Sequence, residues 1–390
     1  MNRPDRFLSD RLHDIEPFHV MELLRRARTL EAQGHDIIHM EVGEPDFNTP
    51  QPIIDAATRF LATGHVHYTS GLGMPSLREA VARFYAERFK VDIDPDRIII
   101  TPGASGALML ALAATTNPGD IWLMGDPTYP SNRHLVRAFE GSVHLLPVGP
   151  EQAYQPSAAQ VTDAWQARCR GLMVASPSNP TGTIISPEQL DALATAVRAK
   201  AGVLIVDEIY QGLTYGVGDS TALQHLDDAF VINSFSKYFG MTGWRLGWLI
   251  APEGFAREIE RLAQHFFIAP STVAQHAALA AFSPAAMAIH EERREAFDAR
   301  RRVLLPGLRE LGFKVGTEPQ GAFYVYTDIS ALADDCESLA QRLIEDAGVA
   351  ATPGIDFGHH RSRAHMRFAY TTGIDRLHEA LERIARIVRH

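Results

Sequence analysis

The stretch "FVINSFSKYFGMTGWRLGWLIAP", residues 230–252, sets two short apolar runs on either side of a loop rich in serine, glycine and aromatic residues. Neither run alternates apolar with polar residues. Continuous apolar runs are how strands read when both faces of a sheet are covered. Five more of them come earlier, from residue 97 onward: "RIIITPG", "DIWLMGD", "SVHLLPV", "RGLMVASP" and "GVLIVDE". Helical segments such as "GASGALMLALAATT" and "SPEQLDALATAVRAKA" lie between several of the runs. The second opens with a helix-start signal: Ser186, Pro187 at the first helical position, and Gln189 three residues after the serine. Strands alternating with helices predict an α/β fold, with a mostly parallel seven-stranded sheet wrapped by helices.

Past residue 283 the pattern changes. "PAAMAIHEERREAFDARRRVLLPGLREL" reads as a long charged helix whose arginines, interleaved with glutamates near 293–302, form a solvated face. Strand candidates "AFYVYTDI" and "HMRFAY" follow, with helices "CESLAQRLIEDAG" and "IDRLHEALERIARIV", which together suggest a smaller α+β domain. The first 45 residues hold a helix, "VMELLRRARTLEAQG", and a strand, "DIIHMEV". The expected division is an N-terminal segment, 1–45, belonging to the small domain, a large domain, 46–283, and the rest of the small domain, 284–390.

Composition excludes several classes. A chain of 390 residues that is 46% hydrophobic can bury a core of ordinary size. A net charge of −10 argues against a phosphate-tracking surface, so nucleic acid is not an expected partner. Two distant cysteines, Cys169 and Cys336, make neither a disulfide framework nor a metal quartet. The amino terminus, "MNRPDRFLSDRLHDIEPF", lacks the apolar core of a signal peptide, and no run reaches the roughly 18 apolar residues of a spanning helix. The expectation is a cytoplasmic protein with no membrane partner.

In open α/β sheets ligands bind beyond the carboxyl ends of the strands. Four clusters fall there. In "TPGASGAL" (101–108) a strand gives way through Gly103 to a helix, leaving the amides of Ala104, Ser105 and Gly106 free beside the positive end of the helix dipole. In "SPSNPTG" (176–182) Asn179 precedes a proline and is therefore extended or in a turn. In "VLIVDEIY" (203–210) Asp207 closes an apolar run, where a desolvated carboxylate favours a cationic partner, and Tyr210 follows three residues on. Each has a plainer reading as a turn or a cap. The fourth cluster is the opening stretch, where Ser234, Ser236 and Arg245 supply hydroxyls and a fork of N–H donors suited to phosphate. Lys237 sits among them, one of four lysines against 33 arginines. Lysine can do what arginine cannot: lose its proton when desolvated and attack a carbonyl.

Together the clusters ask for one ligand carrying a phosphate, a group to pair with a buried carboxylate, and a carbonyl for Lys237. Pyridoxal 5'-phosphate has all three. No metal is expected: "HVH" at 65–67 and "HH" at 359–360, with His365, are unaccompanied by a tight carboxylate or cysteine set. "GLGMPS" (71–76) lacks the third glycine of a dinucleotide fingerprint and no strong strand precedes it.

With "GEPDF" at 43–47 and "HYTSGLGMPSLREA" at 67–80, the motifs "SPSNPTG", "VDEIY" and "SFSKYFGMTGWRLG" resemble the class I/II aminotransferases. These are pyridoxal-phosphate enzymes of the aspartate-aminotransferase fold, fold type I. The resemblance runs from about residue 17 to the end. It implies that Lys237 holds the cofactor as an imine, Asp207 pairs with the ring nitrogen, and Tyr210 and Asn179 bond the ring hydroxyl. Arg245, Ser234, Ser236 and the amides of Ala104 and Ser105 would hold the phosphate, and Tyr129 would stack on the ring. Tyr68 would reach the phosphate of a neighbouring subunit, which implies a homodimer with shared active sites. Arg367 would clamp the substrate carboxylate, helped by Asn179 and the backbone near Gly43.

The activity implied is transfer of an amino group from an α-amino acid to a 2-oxo acid, 2-oxoglutarate or pyruvate. A carbon–sulfur β-lyase of the same fold shares almost every motif. A cofactor-binding transcription factor would need an added DNA-binding domain, for which the short N-terminal segment leaves no room. One departure bears on the donor. Aspartate-specific bacterial members often carry a lysine where Ser105 falls, so a neutral or aromatic donor side chain is expected here, with Phe18 and Val20 lining its pocket.

Overall fold

A computed structural model of the chain describes residues 8–389. The reading of the amino terminus, and the outer ends of the expected domain division, fall partly outside these residues. The described chain contains eleven strands: β1 (Ile38–Met40), β2 (Ile98–Thr101), β3 (Ile121–Asp126), β4 (Ser142–Pro147), β5 (Cys169–Ala175), β6 (Val203–Asp207), β7 (Phe230–Ser234), β8 (Gly247–Ile250), β9 (Tyr324–Asp328), β10 (Val349–Pro353) and β11 (His365–Ala369).

Seven of them form one sheet in the order β2-β8-β7-β6-β5-β3-β4. The pairs from β7 through β6, β5 and β3 to β4 are parallel, and β8 alone runs against both of its neighbours. The continuous apolar runs have a simple cause. On β6, Leu204 and Val206 join one hydrophobic core while Ile205 joins another on the opposite face. On β7, Val231 faces the first core, and Phe230 and Ile232 face the second. Successive side chains point to opposite faces, so a sheet covered on both sides allows no polar alternation. The helix Pro187–Arg198 begins with the expected capping box, the Ser186 hydroxyl accepting from the Gln189 amide and the Gln189 side chain accepting from the Ser186 amide.

A second, four-stranded sheet has the order β1-β10-β11-β9. The N-terminal strand β1 pairs in parallel with β10, so the two ends of the chain build one sheet. Sequence reasoning missed β10. Its central residues, Ala350 and Ala351, are weak strand formers, and the strand holds because both are fully enclosed.

The helix Pro284–Glu310 corrects one expectation. Arg302 is exposed as expected, but the helix's other arginines near 293–302 are not one solvated face. Arg300 is buried and makes a two-pronged ion pair with Asp46, at 2.7 and 2.9 Å. Arg293 and Arg300 both lie over the Phe47 ring, at 5.1 and 4.8 Å from its centroid. Glutamates beside an arginine signal exposure only when no acid from another element competes for it, and Asp46, more than 250 positions away in the chain, does.

Close backbone approach sets the start of the helix Gly103–Thr115 against β8. A side chain added at Gly247 would lie 2.8 Å from the Asn233 carbonyl and 2.9 Å from the Ala104 nitrogen. Gly247→Ala is therefore expected to destabilise the fold by about 1–3 kcal/mol, measured by urea denaturation; an unchanged midpoint would contradict this packing.

Candidate active site

The carboxyl ends of β5, β6 and β7 and the start of the helix after β2 surround a cleft of about 310 Å³. Lys237 lies on the loop three residues past the end of β7, half-buried at the base of this cleft. Its amine donates to the Gly43 carbonyl at 2.5 Å and sits 5.9 and 5.8 Å from the ring centres of Tyr210 and Phe323. Burial lowers its pKa to about 8, opposed by the Glu44 carboxylate. The Arg245 and Arg367 guanidiniums push the same way as burial.

Asp207 ends β6 and is 5% exposed. Burial raises its pKa to about 6 against the pull of the Ile209 amide, which donates to Oδ1 at 3.0 Å, and of the Lys237 charge. Next to it, burial pushes Glu208 to about 7, although the Ala222 amide and the Thr221 hydroxyl both donate to it. Those two contacts spend Glu208 on the neighbouring loop and leave Asp207 as the acid that lines the cleft.

On one flank lies a cradle for an anion. Gly103 has φ +71°, and a side chain there would collide with the Arg245 guanidinium, so glycine is what lets arginine reach the helix start. Arg245, itself at φ 52°, donates to the Thr242 carbonyl at 3.0 Å and stands 3.5 Å from the Ser236 hydroxyl. The first amides of the Gly103 helix have no partners within it and add their positive dipole end. Ala104, Ser105, Ser236 and Arg245 all line the cleft. Ser234 does not. Its hydroxyl accepts from the Ser236 amide at 3.0 Å and lies 2.9 Å from the Ser236 hydroxyl and 3.1 Å from the Leu246 carbonyl, so it braces Ser236 from behind.

On the opposite side Arg367, the third residue of β11, is buried but opens onto the cleft. It donates to Asn179 Oδ1 at 2.8 Å, to the Thr352 hydroxyl at 3.1 Å and to the Glu41 carbonyl. Its guanidinium lies 4.3 Å from the Tyr324 ring centre and 4.8 Å from that of Phe357. Gly43, Asn179, Tyr129 and Tyr210 line the same space, as do Phe18 and Val20, and the Phe18 and Tyr129 rings stand 6.1 Å apart. Tyr68 lies outside it, 81% exposed on the surface.

Sequence reasoning did not single out Tyr324, Phe357, Thr242 or Glu44, which also line the cleft. Tyr324 sits in a run read only as a strand. The second tyrosine two positions on, Tyr326, is a signal that this strand buries hydroxyls, and buried hydroxyls need partners.

With this geometry in view, residues 35–384 match the family described as Aminotransferase class I and II. The valine–pyruvate aminotransferase of Mycobacterium tuberculosis is 38% identical over 372 residues, 95% of this chain and 96% of that one. The aspartate/prephenate aminotransferase of Thermus thermophilus is 36% identical over 386 residues, 98% of this chain and 99% of the other. A crystal structure of an aminotransferase from Mycobacterium tuberculosis superposes with a TM-score of 0.95 at 36% identity, and each chain is covered to 100%. The chain belongs to the class I and II aminotransferases. It is an amino-acid:2-oxo-acid aminotransferase that uses pyridoxal 5'-phosphate.

The residues present fit that group. An arginine and helix-start cradle suits its phosphate, a buried carboxylate suits a protonated ring nitrogen, and a lysine with a depressed pKa suits its aldehyde. The lysine has a pH signature. Below about 8 its nitrogen is protonated and lacks a lone pair; above it the amine is free. Capture of pyridoxal phosphate by the cofactor-free protein, followed by absorbance, is expected to reach half its maximal rate near pH 8. A midpoint near the ordinary lysine value of 10.5 would contradict the desolvated setting.

Proposed function

We propose that Lys237, Asp207 and Tyr210 form the catalytic centre of an aminotransferase whose donor is an amino acid with a neutral or aromatic side chain, and whose acceptor is pyruvate or 2-oxoglutarate. The observation that carries this reading is that the Lys237 amine shares one cleft with a buried acid, Asp207, and a buried guanidinium, Arg367, whose charges both act on it. Pyridoxal phosphate, when bound, supplies an aldehyde and an electron-withdrawing ring. The chain does the rest. Arg245, Ser236, Ala104 and Ser105 hold the phosphate with Ser234 behind them, Asp207 holds a cationic ring nitrogen, and Tyr210 and Asn179 donate to the ring oxygen. Tyr129 covers one face. Arg367 takes the substrate carboxylate through paired N–H donors, with Asn179 and the backbone at Gly43 closing round it. Lys237 Nζ, once free, takes the proton from the α-carbon; a pKa lowered toward neutrality lets it act as a base.

The donor assignment rests on charge. Among the described residues, the lysines and arginines lining the cleft are Lys237, Arg245 and Arg367, each with a role above. Ser105 is neutral, and Phe18, Val20, Met21 and Phe357 make an apolar wall. The relative named for valine–pyruvate transfer falls within this range, whereas the one named for aspartate/prephenate transfer takes in an acidic donor. Following loss of the visible cofactor band as amino acids are added singly is expected to rank apolar and aromatic donors above aspartate. Ser105→Lys is expected to raise kcat/KM for aspartate roughly tenfold, and a native preference for aspartate would overturn the assignment.

The assembly proposed is a homodimer with shared sites. Tyr68 is exposed, as are the apolar side chains of Leu61, Val66, Phe266 and Ile268 in the segments 61–68 and 266–268. The Thr272 hydroxyl donates to the His67 carbonyl at 2.6 Å and ties the loop beside Tyr68 to the helix that follows Ile268. In sedimentation the protein is expected at twice the 43.0 kDa chain mass, with Tyr68→Ala lowering cofactor retention roughly tenfold; a monomer that is fully active would contradict it. The pairing of β1 with β10 supports assigning the N-terminal segment, up to about residue 45, to the small domain. Among the described residues no single helix is long and apolar enough to cross a membrane, and a cytoplasmic location is the reading we prefer.

A further inference from the structure

Tyr324 has no part in the scheme above, yet it touches three of its components. It is fully buried in β9, paired with Ala369, while Tyr326 pairs with Arg367; Tyr324 and Arg367 are therefore diagonal neighbours across the two strands. Its ring carries the Arg367 guanidinium at 4.3 Å. Its hydroxyl is 2.7 Å from that of Tyr210. The same hydroxyl presses on Gly43, where any side chain would overlap it, and the Gly43 carbonyl receives the Lys237 amine.

We propose that Tyr324 is a positioning residue that ties the substrate-carboxylate clamp to the Tyr210 hydroxyl, its ring carrying Arg367 and its own hydroxyl setting the direction in which Tyr210 donates. The proposal rests on the roles assigned above to Arg367 and Tyr210. A phenol has one proton to give and lone pairs to receive. When the Tyr210 proton points at the ring oxygen of the cofactor, the proton between the two tyrosines comes from Tyr324. Tyr210 is then donor and acceptor at once, and hydrogen bonds in a chain polarise one another, which makes Tyr210 the stronger donor. The clamp has a matching need. Arg367 Nε is buried without a protein partner, so the tilt of the guanidinium is set by its Nη contacts and by the rings against it.

The test uses cofactor-loaded Tyr324→Phe, Tyr210→Phe and the double variant, and first follows the pH titration of the visible absorbance without substrate. Tyr324→Phe is expected to raise the midpoint by about half to one pH unit, because a weaker donor at Tyr210 stabilises the deprotonated form less. In the Tyr210→Phe background the same change is expected to add almost nothing, since it acts through Tyr210. The second readout is competitive inhibition by propionate, a monocarboxylate that does not react. Tyr324→Phe keeps the ring and is expected to bind it within about twofold of the native enzyme; Tyr324→Leu is expected to bind it roughly tenfold more weakly. A midpoint unmoved by Tyr324→Phe, or moved equally with and without the Tyr210 hydroxyl, overturns the hydroxyl link. Equal propionate inhibition in the Phe and Leu variants overturns the ring link. If Tyr324→Leu does not fold, the titrations of the two Phe variants still decide the hydroxyl link. Arg367→Lys in the inhibition assay separates this proposal from the reading beneath it: unchanged inhibition there removes the clamp itself, whatever Tyr324 does.

Discussion

The site depends on an amine kept out of water without being given a carboxylate to bond. Lys237 has one hydrogen bond, to a neutral carbonyl, and two guanidiniums within electrostatic reach. Burial is the largest influence on it and favours the uncharged form. The same burial acts on Asp207 in the opposite sense and holds its carboxyl partly neutral up to about pH 6. Two groups that would pair in water are each pushed away from charge here, because the sheet end that carries them is enclosed. A cationic ring nitrogen beside Asp207 would offset its cost of burial, and an imine at Lys237 would remove the charge that burial disfavours. The enclosure therefore selects the ligand.

That enclosure is assembled from distant parts of the chain. The large sheet presents the ends of β5, β6 and β7 at one edge, and the loop that leads from β7 into the antiparallel β8 brings Arg245 to the helix start at Gly103. The opposite wall comes from the small sheet. Arg367 on β11 reaches the Glu41 carbonyl just past β1 and Asn179 just past β5, and so links the N-terminal strand, the C-terminal strands and the large sheet. The ion pair of Arg300 with Asp46 fixes the intervening loop to the long helix.

The seven apolar runs were legible as strands because both faces of the sheet are covered over its centre, as on β6 and β7, so that apolar residues follow one another without polar alternation. The turns after them were legible as a site because polar residues at buried strand ends have few other uses. Lys237 stood out by its rarity among arginines, and its position in the cleft follows from β7. What escaped was whatever a distant element supplies. Strand β10 is made by its neighbours rather than by its alanines. Arg300 looked solvated because the acid that holds it comes from the other end of the chain. Ser234 and Ser236 are equivalent in the sequence, and what separates them is that β7 ends at Ser234, so the turn after the strand brings Ser236 to the cleft and leaves Ser234 behind it. Tyr324 carried no motif at all, since its importance lies in what crosses above it.

The scarcity of lysine has a chemical consequence of its own. A reactive aldehyde condenses with accessible amines wherever it meets them, and a surface dense in lysines would divert part of it. Here Lys90, Lys200 and Lys314 are the other lysines, all exposed to solvent. Arginine provides nearly all the positive charge that solubility and ion pairing require while offering no competing nucleophile. By its choice of cation, the chain leaves few lysine decoys for its own coenzyme.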